Sequence, residues 1–169
     1  MKSLTASILL LIGPLFSCAI GVSLSTTAGV DSQAKGLIES RLEGTAAVGN
    51  PRFQLRSILS AGGGYDGAGS AGYLVVMPGV GLELTGLGRL ITDVFYVGRF
   101  FPDDDQDSEH SVGLTLTRLW KIVDLGAEDS ALYLGPRLQA ETDLVRGRFM
   151  LGLCLTWITY DTMRGNWGM

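Results

Sequence analysis

Residues 147–160 read GRFMLGLCLTWITY, and their alternation decides the architecture. Phe149, Leu151, Leu153, Leu155 and Trp157 share one parity. Arg148, Gly152, Cys154, Thr156 and Tyr160 share the other. A strand turns successive side chains to opposite faces, so this segment has one oily face and one polar or small face. The same period of two runs back along the chain. Val112, Leu114, Leu116, Trp120 and Ile122 oppose Ser111, Gly113, Thr115, Thr117 and Lys121; Leu132, Leu134 and Leu138 oppose Tyr133, Gly135, Arg137 and Gln139. Leu74, Val76, Val80, Leu82 and Leu84 oppose Tyr73, Met77 and Glu83, and Leu90, Val94, Tyr96 and Phe100 oppose Arg89, Asp93 and Arg99. Eight strands are predicted, over about 20–30, 37–47, 52–62, 71–84, 87–101, 111–123, 131–140 and 147–160. The second is the least regular, because AKGLIESRLEG also suits a short amphipathic helix. The joins carry turn residues, and none holds a crossover helix, so the chain reads as an antiparallel up-and-down meander.

Composition agrees. The 169 residues include 24 glycines, about twice the usual share, with 18% charged residues and a net charge of −4. An acidic balance disfavours a nucleic-acid partner. Two cysteines cannot build a disulfide framework, and a single histidine argues against an imidazole metal site. No cofactor is expected.

Parity alone does not say which face looks outward. The purity of the oily face, the Gly, Ser, Thr and mixed charges on the other, and strand lengths near the 9–11 residues that cross a bilayer favour a barrel with its oily side in lipid. In lipid an unpaired backbone amide costs several kcal/mol, so the sheet must close. The predicted fold is therefore all-β: an eight-stranded antiparallel transmembrane β-barrel over 20–160, with a C-terminal tail over 161–169. With the amino terminus in the periplasm, DSQAKG, GGGYDGAGS, FPDDDQDSEH and ETDLVRG become outer loops, and VGNP, TGLG and DLGAED inner turns.

In strand number, length and parity the chain resembles the small eight-stranded outer-membrane proteins of the OmpA/OmpX type. Gly152, Leu155 and Trp157 also resemble the carboxy-terminal assembly signal of bacterial barrels, although here Asp161–Met169 follows it. The resemblance implies contact with outer-membrane lipid, lipopolysaccharide and the barrel-assembly machinery; it names no surface ligand.

Met1–Ala19, MKSLTASILLLIGPLFSCA, reads as a secretory signal peptide: Lys2, an apolar run from Ile8 to Phe16, and a small-x-small site ending at Ala19. Cleavage there leaves Cys154 as the sole cysteine. Leu15-Phe16-Ser17-Cys18 offers a second route, because it resembles a bacterial lipobox that would leave a lipidated Cys18.

The interior parity carries Glu39, Arg41, Glu43, Arg56, Glu83, Arg89, Asp93, Arg99, Lys121 and Arg137. Buried charges must pair. In so narrow a lumen a salt-bridge plug is favoured over a pore or proton path. His110 and Ser111, with Glu109 nearby, raise a lipid A-modifying, deacylase-like alternative. Those barrels place His and Ser two apart on one strand face, whereas here the two are adjacent. Asp103, Asp104, Asp105, Asp107 and Glu109 crowd one outer loop, which suits a solvated loop or a cation-binding one, without the glycine of an EF-hand. The main functional expectation is a structural, adhesive or surface-interaction barrel without a dedicated catalytic site. A secreted lipocalin-like barrel is the further alternative. Arg118 falls on the lipid parity and stands against the proposed register unless it lies near an interface.

Overall fold

The structure, a computed structural model, describes residues 17–50, 52–67, 71–86, 88–102, 107–126 and 130–161. Eight strands follow one another: β1 (Ser17–Asp31), β2 (Gly36–Asn50), β3 (Phe53–Asp66), β4 (Ala71–Gly86), β5 (Gly88–Phe100), β6 (Glu109–Asp124), β7 (Ser130–Thr142) and β8 (Gly147–Asp161). Each pairs antiparallel with its neighbours in sequence. β1 closes on β8 from Cys18–Asp161 to Asp31–Arg148, so the sheet is a closed barrel with no free edge. Strands of 13–16 residues, at about 3.3 Å per residue and tilted roughly 40°, rise about 33–40 Å, more than a hydrocarbon band of about 25 Å requires.

The period of two becomes radial direction. Along β5 and β6 exposed and buried residues alternate almost without interruption. Leu24, Leu42, Leu59, Leu74, Val80, Val94, Leu114 and Leu153 all look outward and are exposed. In water so large an apolar surface would drive association; facing acyl chains it needs no cover. The polarity is that of a membrane-spanning barrel and the reverse of a lipocalin.

The joins after β1, β3, β5 and β7 gather at one end, the loop rim; those after β2, β4 and β6 gather at the other, the turn rim. Both Leu37 to Ala46 and the residues around it pair as β2, so the helical alternative for that segment does not hold. Strand β3 runs on through Gly62, Gly63 and Gly64, which sequence reasoning left in a loop. The reason is steric. A Cβ on inward-facing Gly62 would collide with the backbone of Arg41, and one on Gly64 with the Tyr73 ring. The missing side chains make room for two of the largest groups in the lumen. β6 begins at Glu109 and β7 ends at Thr142, so Glu109, His110 and Glu141 also belong to strands rather than loops. The short β7–β8 turn is held by Asp143, whose carboxylate accepts backbone hydrogen bonds from Arg146 and Val145; these hold its pKa below the usual carboxylate value.

Inward glycines facing large neighbours set the fill of the lumen. A Cβ at Gly113 would lie 2.6 Å from two Phe95 ring carbons. Gly113→Val is expected to cost about 1–3 kcal/mol through overpacking, read as a lower unfolding midpoint in detergent. An unchanged midpoint would mean that Phe95 does not occupy that space.

Candidate functional site: the lumen charge network

Among the described residues, five arginines (Arg41, Arg56, Arg89, Arg99, Arg137) and five carboxylates (Glu39, Glu43, Glu83, Asp93, Glu141) are buried inside the barrel. Their charges cancel. Each arises because an ionisable residue occupies an inward position of its strand, and each is tolerable only because a partner on another strand reaches it.

Near the loop rim, Arg99 on β5 donates from Nε (2.8 Å) and Nη2 (2.5 Å) to Glu39 Oε1 on β2, and its Nη2 lies 2.7 Å from Glu141 on β7. Tyr73 Oη donates to Glu39 Oε1 at 2.9 Å, and Ser111 Oγ to Glu141 Oε2 at 3.3 Å. Arg41 links this group downward. Its Nη1 is 3.3 Å from Glu39, and its Nη2 donates to Gln139 Oε1 at 2.5 Å; Gln139 in turn donates to Glu141. At mid-height Arg137 spans the lumen to Glu43, donating from Nη1 and, at 2.9 Å, from Nη2. Arg137 Nε donates to Thr117 Oγ1 and Ser25 Oγ to Glu43 Oε1. Toward the turn rim Arg56 lies 3.4 Å from Asp93 and 3.8 Å from Glu83, and Arg89 pairs with Glu83 while its guanidinium stacks 4.6 Å from the Tyr133 ring centroid. Thr115 Oγ1 donates to Asp93 at 3.1 Å.

Apolar groups complete the filling. Ala19, Ala47 and Ile158 form one cluster against Tyr133; Ile91, Leu119 and Cys154 form another beside it. Tyr73, Val75, Met77, Phe95 and Val97 pack with Phe101 on the loop side. Two voids within this packing, one beside Glu43, Asp93 and Arg137 and one beside Arg99, Glu109 and Arg148, each hold about 10 Å³, no more than one water.

Nine of the ten interior charges expected from sequence are where parity places them. Lys121 is the correction. It keeps inward parity, but the β6–β7 ladder slips between Lys121 and Val123 at the turn rim. Its ammonium is therefore exposed and pairs with Asp124 at 2.9 Å. Sequence reasoning did not include Glu141 and Tyr73 in this network. Glu141 could have been found by continuing the parity of Arg137 and Gln139 by one more step. Arg118 is exposed on the outer wall, next to Thr117 on β6, and its guanidinium sits 5.5 Å from the Trp120 ring centroid. The ladder with β5 and β7 sets its outward parity as the sequence register has it.

The remaining candidates separate. Ser111 points into the lumen and bonds Glu141. His110 points outward, where its Nδ1 hydrogen-bonds Tyr96 Oη at 2.5 Å and its ring meets Phe100 edge-on. The barrel wall lies between them, so they form no Ser–His pair. Glu109 pairs at the rim with Arg146 and Arg148. Asp107 is exposed, and Asp103, Asp104 and Asp105 lie outside the described residues. Among the described residues no group of three or more His, Cys, Asp or Glu is placed to hold a metal ion. The leader expected over 1–19 lies mostly outside the described residues, although Ser17, Cys18 and Ala19 are paired in β1.

No protein-family model and no curated protein matches the chain. Among solved structures it is similar to a de novo designed transmembrane β-barrel, at 14% identity over 80% of this chain and 94% of that one, with a TM-score of 0.44. It is also similar to the crystal structure of Neisserial surface protein A (NspA), at 9% identity over 83% of this chain and 96% of that one, with a TM-score of 0.49. The likeness is one of chain course alone.

Proposed function

We propose that the chain is a non-conducting bacterial outer-membrane barrel that acts as a structural and surface-interaction protein, displaying its longer loops to the exterior. The observation that carries this reading is the pairing of an apolar outer wall with a charge-neutral, filled lumen. The wall suits acyl chains. Paired charges and packed side chains fill the described lumen, which supports a closed interior and leaves the loop rim as the surface for recognition. There the β7–β8 turn presents Leu144 and Val145, 95% and 88% exposed, beside Arg146. A rigid barrel holding such a turn is suited to contact rather than chemistry.

The test has two arms. Purified protein reconstituted in a planar bilayer should give no conductance steps, and the same preparation should migrate differently on gels before and after boiling. In intact cells, a cysteine introduced at Asp107 should label with an impermeant maleimide, and one introduced at Gly126 should not. Regular single-channel steps would overturn the closed-lumen reading. Labelling at Gly126 alone would reverse the orientation.

A further inference from the structure

We propose that Arg118 and Trp120 form a site on the outer wall for the phosphate of an anionic glycerophospholipid in the leaflet on the turn-rim side. This rests on the reading of the chain as a membrane barrel, and it names a lipid class that the wall selects.

The wall is almost free of charge. Among the described residues of outward parity between the strand ends, Arg118 carries the one formal charge. It is exposed, and it is six residues before Asp124, the last residue of β6. At about 3.3 Å per residue and a tilt of roughly 40°, its Cα lies about 15 Å from the turn-rim end of that strand. A hydrocarbon band of about 25 Å leaves only roughly 4–8 Å of the barrel outside it at each rim. The backbone of Arg118 is therefore within the band. Its neighbours are oily: Leu90 is directly opposite on β5, and Leu116 precedes it on the same face of β6. A guanidinium in such surroundings is costly to leave among acyl chains alone, and its long side chain lets it seek an anion at the headgroup level.

Trp120 lies two residues nearer the rim and is 47% exposed, and the Arg118 guanidinium sits 5.5 Å from its ring centroid. The Cδ1–Nε1 edge of the indole borders Gly88 at the start of β5, where a Cβ would lie 3.8 and 3.9 Å from these two atoms. Gly88 has no side chain to cover that edge, so the indole N–H stays open. A forked cation and a single N–H donor thus stand side by side, flanked by Leu90 on β5 and Leu134 on β7.

That combination matches an amphiphile with an anionic head. The guanidinium fork takes two phosphate oxygens, the indole N–H takes a third, and the leucines take the acyl chains. A net negative headgroup is preferred, because an ammonium beside the phosphate would repel the guanidinium. Free phosphate fits less well, since it has nothing to place against the leucines.

The test uses the full chain with Trp157→Phe and Trp167→Phe, so that fluorescence reports Trp120 alone, in phosphatidylcholine vesicles. A fixed fraction of the lipid is replaced by dibrominated phosphatidylcholine or dibrominated phosphatidylglycerol, whose bromines quench a neighbouring indole. Heat-dependent gel migration checks folding. Phosphatidylglycerol should quench with an apparent affinity about fivefold above that of phosphatidylcholine, the scale of one arginine at an anionic lipid surface. Arg118→Lys should keep part of that preference, and Arg118→Gln should bring the ratio to one. Equal quenching by the two lipids with Arg118 in place, or a preference that survives Arg118→Gln, overturns the proposal. Equal quenching leaves the oily wall standing while the site fails. Quenching by neither lipid at any protein-to-lipid ratio takes the membrane reading down with it. Quenching lost from both lipids as that ratio rises means that a second copy covers the site, and it overturns the lipid assignment.

Discussion

Glu39→Ala is expected to destabilise the barrel by about 3–5 kcal/mol, the usual cost of removing one partner of a buried pair. Glu39 is fully buried and receives Arg99, Arg41 and Tyr73. Without it Arg99 keeps Glu141, but Arg41 loses its ion-pair contact with Glu39, and Tyr73 Oη loses its acceptor. The lumen would also carry a net positive charge. Urea unfolding in lipid vesicles, followed by tryptophan fluorescence, measures the loss. Glu39→Gln should fall between the two, because it keeps acceptor geometry without the charge. By contrast, the double change Glu43→Leu with Arg137→Met should lie close to wild type. It removes both charges of the mid-height pair together and leaves apolar volume in their place. A barrel indifferent to Glu39→Ala would mean that water reaches the network and screens it.

The second large effect concerns the wall. Leu153→Arg should cost about 2–4 kcal/mol, the penalty for a guanidinium at the bilayer midplane. Leu153 is exposed near the middle of β8, opposite Thr26 of β1 and Pro136 of β7. Leu144→Arg, at the tip of the β7–β8 turn, should change stability by less than the resolution of the same titration. Equal penalties at positions 153 and 144 would contradict the placement of the membrane band.

Much of this is legible in the sequence, because one variable, parity, settles both the strand face and the environment of the side chain. Phe149 to Trp157 show it plainly: a slip by one residue would put Cys154 and Thr156 into lipid and Leu153 into the lumen. Partner choice was not legible. Glu43 and Arg137 are 94 residues apart and sit on strands that do not touch, so their ion pair depends on barrel diameter and stagger. Strand ends were read too short wherever glycine or acidic residues suggested a turn. Gly62–Gly64 carry a loop composition, yet they are strand residues because Arg41 and Tyr73 need the space. Glu141 reads as loop for a similar reason, since ETD resembles a turn. Lys121 failed the other way: parity was right, but the ladder irregularity at the turn rim left it outside the sealed lumen. The apolar share of the lumen, Val75, Val97, Leu119 and Met150, was not legible, because the inner parity reads mainly as Gly, Ser, Thr and paired charges.

A nitroxide scan through residues 149–157 in reconstituted vesicles tests the central claim most directly. Labels at 149, 151, 153, 155 and 157 should collide freely with oxygen and little with a water-soluble nickel chelate. Labels at 150, 152, 154 and 156 should be immobilised and shielded from both. Water-soluble relaxation at the odd positions, or oxygen access at the even ones, would contradict an oily wall around a closed, charge-paired lumen.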